Sequence, residues 1–237
     1  MMNRICFILI ISFAFISGCS RYGAEGNYDI ITSAYVFDSF DALKIEDDFH
    51  VELYQSDDFY VEIEAEKNLM DFIHISVEDN VLRLKFKEKI HPTVPIKVNI
   101  AMPELVSVDI MGLCRMKTVQ PFITTSMLIN ARGASQLNLN IVADEIHSYS
   151  KGAAKIELSG STGLLVKDME GAGVFHGLNL NAHKAKILLN GVGKISINVE
   201  DSLDASVNGV GKVEYSGSPS NIEKNISGMG KIVAVGS

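Results

Sequence analysis

Gly191-Val192-Gly193-Lys194-Ile195-Ser196-Ile197 is answered eighteen residues on by Gly209-Val210-Gly211-Lys212-Val213, and nineteen beyond that by Gly228-Met229-Gly230-Lys231-Ile232. Reading back towards the N-terminus, the same five-residue pattern begins at Gly171, Gly152, Gly133 and Gly112, at intervals of 20, 19, 19 and 21. A short period sustained over seven motifs marks a repeat architecture. The first motif residue is always Gly, and the third is always small: Cys114, Ser135, Ala154, then Gly173, Gly193, Gly211 and Gly230. The fifth is always apolar, from Met116 and Leu137 through to Val213 and Ile232. The residue two before the glycine is usually apolar, with Ser150 the exception. Past each motif the side chains alternate, as in Lys155-Ile156-Glu157-Leu158, which is the period of a strand. Nineteen residues of strand have a contour of roughly 63 Å, enough for two or three short strands joined by corners. The expected fold is all-β, a parallel β-helix or β-solenoid with about seven rungs of roughly 19 residues. At about 4.8 Å per rung the rod is roughly 34 Å long. Small residues sit at the corners and the apolar fifth position stacks inward.

Upstream of the repeats the composition changes. Residues 25–90 carry 17 acidic and 6 basic side chains, whereas residues 91–237 carry 12 and 13. The acidic stretch alternates at Val51-Glu52-Leu53, Tyr60-Val61-Glu62-Ile63-Glu64 and Leu82-Arg83-Leu84-Lys85-Phe86, with turn signals between. Irregular or antiparallel strands over 36–103 are therefore expected to cap the N-terminal end of the solenoid repeats at 104–237, the two making one domain, 36–237. Such a cap covers core and strand edges that an open end exposes. The acid excess is a solvated surface and excludes nucleic acid as a partner.

Residues 1–18 hold one charge, Arg4, and an apolar run from Ile5 to Ile16 that is too short to span a membrane. The run ends in Ile16-Ser17-Gly18-Cys19, which resembles the lipobox of a bacterial lipoprotein. That resemblance implies cleavage before Cys19, acylation of Cys19 and membrane attachment through it, in an outer-membrane lipoprotein facing either the cell surface or the periplasm. Residues 19–35 read as a flexible tether. Cys6 leaves with the signal, so Cys114 is alone in the mature chain and reads as a small corner residue.

The mature chain also resembles the family called putative auto-transporter adhesin, head GIN domain. The resemblance rests on Phe40-Asp41-Ala42-Leu43-Lys44-Ile45, Val51-Glu52-Leu53-Tyr54-Gln55, Val81-Leu82-Arg83-Leu84 and Ile100-Ala101-Met102-Pro103-Glu104-Leu105, leading into the serial glycine motifs. It spans roughly residues 36–236. It implies a right-handed parallel β-helix, secreted or surface-anchored in Gram-negative bacteria, with no catalytic residues to carry over.

The residues themselves point away from catalysis. Acidic side chains in the repeats are scattered, without the carboxylate pair of a sugar-cleaving β-helix hydrolase. The residue after each Gly-x-Gly is mostly Lys and never Asp, which opposes calcium at the corners. The six histidines show no metal-ligand spacing, and no cofactor motif stands in its required context. What remains is the fourth motif position, where Lys155, Lys194, Lys212 and Lys231 form a candidate anionic-ligand column. Cations stacked so closely repel, and carboxylates, splayed side chains or a bound anionic glycan would relieve them. Asn190 and Asn208 align as an amide ladder. The expected function is a non-enzymatic, lipid-anchored envelope module for adhesion or binding, its ligand a glycan or an envelope or host protein. The alternatives are a pectin-lyase-like polysaccharide enzyme and a structural protein that homo-oligomerises through solenoid ends.

Overall fold

The computed structural model describes residues 23–236. The signal segment 1–18 and Cys19 lie outside the described residues. The chain is a parallel β-solenoid, as the repeat predicts. From Phe122–Gly133 through Gln136–Gly152, Lys155–Gly171 and Val174–Ser216 the strands run long, because the corners barely interrupt hydrogen bonding to the rung beneath. Equivalent residues lie over one another in parallel register, Gly133 on Gly152 and Gly152 on Gly171. The unequal intervals are absorbed locally. Two extra residues fall between Thr118 and Phe122, where the partner offset drops from 21 to 19. One more, between His176 and Asn179, makes the bulge opposite Glu157 and Ser159.

The corner glycines answer two demands at once. Gly152 has φ 107°, a region that L side chains rarely adopt, and a Cβ there would lie 2.8 Å from the carbonyl oxygen of Gly133. Each rung's glycine thus lets the chain turn and lets the next rung's glycine rest on it. The third position is small for a related reason, since a Cβ on Gly173 would meet the Ala154 carbonyl at 2.9 Å.

The acidic segment divides in two. Ala42–Glu46 and His50–Gln55 pair in parallel with Ser107–Gly112 and Arg115–Thr118, so they form a further rung of the solenoid. Its corner is Asp47, at φ 75°, directly beneath Gly112. Val81–Phe86 and Lys97–Met102 lie outside that rung, also parallel to it. The remainder is antiparallel: Ile30–Val36 on Tyr60–Glu66, Tyr60–Glu66 on Lys97–Met102, and Ile73–Glu78 on Val81–Phe86. The expected cap of irregular or antiparallel strands therefore also contains parallel rungs. The stretch expected to be a tether differs as well. Ala24–Glu25 pairs with Ile90–His91, and Ile30–Val36 is a strand. The buried Glu66 carboxylate fastens this start of the chain by accepting the N–H groups of Tyr28 at 2.7 Å and Thr93 at 2.9 Å, together with the Thr93 hydroxyl. One continuous apolar core runs from Phe40 to Ile232.

Candidate binding face

Beyond each glycine corner, the fourth and sixth motif positions point outward from one sheet. Register places Lys97, His50, Arg115, Gln136 and Lys155 in one line across five adjacent strands, about 19 Å in all. Asn99, Glu52, Lys117, Asn138 and Glu157 form the parallel line beside it. Together they line a groove of about 440 Å³. Its four cations outnumber its two carboxylates in a chain whose net charge is −8. Some of that charge is held locally. Lys117 pairs with Glu52 at 2.9 Å and Lys97 with Glu64 at 2.7 Å. The Lys117 hydrogen bond holds the Glu52 carboxyl below its usual range, against a smaller upward push from burial. Arg115 lies 2.7 Å from His50 Nε2 and 3.7 Å from Asp48.

The column read from the sequence splits. Lys155 sits at the end of the groove and makes no ion pair among the described residues. Val174 separates it from Lys194. Lys194 and Lys212 share one carboxylate, Glu214, at 2.7 and 2.6 Å. Those hydrogen bonds bring the Glu214 carboxyl down to about 2. The repulsion between stacked lysines is relieved there by a carboxylate from within the chain. Lys231 lies directly over Lys212 in register. Asn208 donates to Asn190 at 2.8 Å, as an amide ladder should.

Two residues turn inward. Cys114 is fully buried, and burial pushes its thiol up to about 12, so it is protonated and inert. Lys167 occupies a core position between Ser148 and Ile187 in the stacked rungs. Only 1% of it is exposed. Its Nζ lies 2.8 Å from Ser150 Oγ and within 3.3 Å of Ser148 O, Ser148 Oγ and Asp168 O, with the Phe175 ring centroid at 5.4 Å. Burial brings the amine down to about 7. A serine beside an amine has the atoms of a nucleophile–base pair, but both are buried and no substrate reaches them.

Glu52 and Glu157 lie three rungs apart in the groove, about 14 Å, beyond the roughly 6.5–9.5 Å of an inverting glycosidase pair. Among the described residues, no group of three or more His, Cys, Asp or Glu side chains could hold a metal. The groove presents cations and amides spaced at the rung repeat.

Fold and face together define a β-solenoid with a polar, ladder-like sheet surface. The chain belongs to the family described as putative auto-transporter adhesin, head GIN domain, which matches residues 39–219. Three solved structures are similar to it. A putative adhesin from Bacteroides fragilis is 24% identical, with 90% of this chain and 100% of that one covered and a TM-score of 0.86. A putative lipid binding protein from Parabacteroides distasonis is 24% identical over 89% and 98%, with a TM-score of 0.73. A putative adhesin from the same species is 21% identical over 90% and 100%, with a TM-score of 0.69. At these identities the likeness establishes the fold. No curated protein matches the chain.

Proposed function

We propose that this protein is a non-enzymatic binding module of the bacterial cell envelope, anchored by acylated Cys19, that takes an anionic glycan in the Lys97-to-Lys155 groove. The observation that carries the reading is the groove itself. It is an open sheet surface with donors repeated every 4.8 Å or so, and a cation excess set in an acidic protein. An extended polymer with a carboxylate or sulfate on successive sugars complements such a ladder. The family's adhesin description and the lipobox resemblance support a place at the envelope. The lysine column contributes through Lys155, while Lys194 and Lys212 spend their charge on Glu214.

A glycan array on the purified protein tests this, with Arg115→Ala/Lys155→Ala beside it. Binding to uronate-containing or sulfated glycans that weakens with salt and in the double variant is expected. Equal binding of neutral and acidic glycans, or an unaffected double variant, removes the groove from the proposal. The anchor is tested separately by labelled palmitate, which should enter the chain but not its Cys19→Ala variant.

A further inference from the structure

The second motif position carries a pattern that neither the core nor the groove uses. It is apolar in all seven motifs and it points outward. Leu113, Val192, Val210 and Met229 are 54%, 59%, 48% and 78% exposed. Ala134, Ala153 and Ala172 stand between them and are exposed too. Scattered exposed apolar side chains are ordinary. These are not scattered, because the parallel register stacks the corners into one ridge, about 29 Å long.

The rim of the ridge has a charge of its own. The outward positions on either side are the residue before the glycine and the fourth motif residue. Together they hold seven cations and one carboxylate, Glu170. Glu214, which holds Lys194 and Lys212, attaches two residues further from the ridge. Asp48 takes the second position in the rung below Gly112 and bounds the ridge at that end. Two copies meeting ridge to ridge about a two-fold axis would bring these cation rows together, which opposes self-association. An anionic lipid surface complements both features, taking apolar side chains at its acyl boundary and cations at its phosphates.

The start of the described chain lies at the Leu113 end. Ala24–Glu25 pairs with Ile90–His91, and Lys89 and Ile90 line one surface cleft with Met111 and Leu113. Cys19 is four residues before Gly23, so covalent reach alone keeps it within roughly 14 Å of that point.

We propose that the Leu113-to-Met229 ridge is a membrane-contact edge, on which the solenoid lies along the headgroup layer of an anionic bilayer. The position of the anchor rests on the Cys19 reading; the ridge and its cationic rim stand without it. The test reconstitutes the full acylated chain in vesicles of phosphatidylcholine with phosphatidylglycerol. It carries an environment-sensitive fluorophore on Val192→Cys or, as a control, on Asp144→Cys at another corner; Cys6 has left with the signal, Cys19 is acylated and Cys114 is buried. The expected result is blue-shifted emission from position 192 that nitroxide-labelled acyl chains quench. Position 144 should be unaffected. Lys155→Glu/Lys231→Glu, or vesicles of phosphatidylcholine alone, should lose the quenching. A chain that co-floats with vesicles while position 192 stays in water overturns the ridge and leaves the anchor intact. Shielding at 192 that follows protein density without lipid quenching also overturns it and identifies a second copy as the occupant. Palmitate labelling reports the anchor by itself, so the two failures are distinguishable.

Discussion

Lys167→Met should flatten the pH dependence of this protein's stability above neutrality. The wild-type amine moves from 10.5 in the unfolded chain to about 7 in the core, with burial as the main cause. A folded value below the unfolded one means that the native state binds fewer protons between the two. Stability therefore rises with pH across that window, is complete above 10.5, and is lost as pH falls towards 7. The shift spans 3.5 units, from 10.5 to 7, and at 1.36 kcal/mol per unit the full effect is about 5 kcal/mol. From pH 7 to 9 the rise relative to a chain without the group is about 2–3 kcal/mol.

Two physical effects compete here. Desolvation favours the neutral amine, whereas the oxygens of Ser148, Ser150 and Asp168 around Nζ favour the ammonium. If the oxygens win, the amine keeps an ordinary value and the window closes. Urea midpoints of wild type and Lys167→Met, measured from pH 6 to 9, decide between them. Met keeps the length and apolar stem of Lys, and every other titrating group is common to both chains, so the difference isolates Lys167. At a slope of about 2–3 kcal/mol per molar urea, the midpoints should diverge by about 1 M between pH 7 and 9. Parallel profiles would refute the desolvation account. Ser150→Ala removes the 2.8 Å partner and should push the amine lower still, extending the window below pH 7.

Glu214 should titrate near 2 by carbon-detected NMR and return towards 4.5 in Lys194→Ala/Lys212→Ala; its stabilisation is present above pH 4.5 and lost as pH falls towards 2. An unchanged Glu214 titration in the double variant would show that the shared ion pair is not what holds it down. Gly152→Ala should cost about 2–4 kcal/mol in denaturant unfolding, because it adds strain at φ 107° and a Cβ against the Gly133 carbonyl. Ala153→Ser, one residue on at an exposed site, should be neutral within about 0.5 kcal/mol. Cys114 should resist an aromatic disulfide reagent at pH 8 in the folded chain and react fully in denaturant. Rapid labelling of the native protein would contradict its burial.

The glycine period was legible because it records the one contact every rung must make, a corner resting on the corner beneath. Side chains inside the solenoid vary freely so long as they are apolar, but the corner cannot vary, and so the repeat survives in sequence. The rung at 42–55 escaped the same reading because Asp47 supplies the positive φ without being glycine. Asp tolerates that region where most side chains do not, so the geometry persists after the letter is gone. Chain order hid the rung further. Residues 60–102 leave to build antiparallel strands and the outer parallel pair before residues 107–118 return to its other side.

The same logic separates what the sequence said about the lysines from what it withheld. Counting four residues from each glycine found the column, but only register to the sixth position showed that Glu214 reaches two of its members. Lys167 left a signal that the glycine motifs drew attention away from. It stands two before Met169, which itself stands two before Gly171, so strand parity turns it inward. One rung below, Ser148 and Ser150 break an otherwise apolar pattern at that parity. Each exception alone reads as tolerance of a small polar residue in a core. Stacked at the rung spacing they become one feature, a buried amine with hydroxyls waiting for it. In a solenoid, an irregularity in one repeat is best read against the residue one period away, because that residue is its neighbour in space.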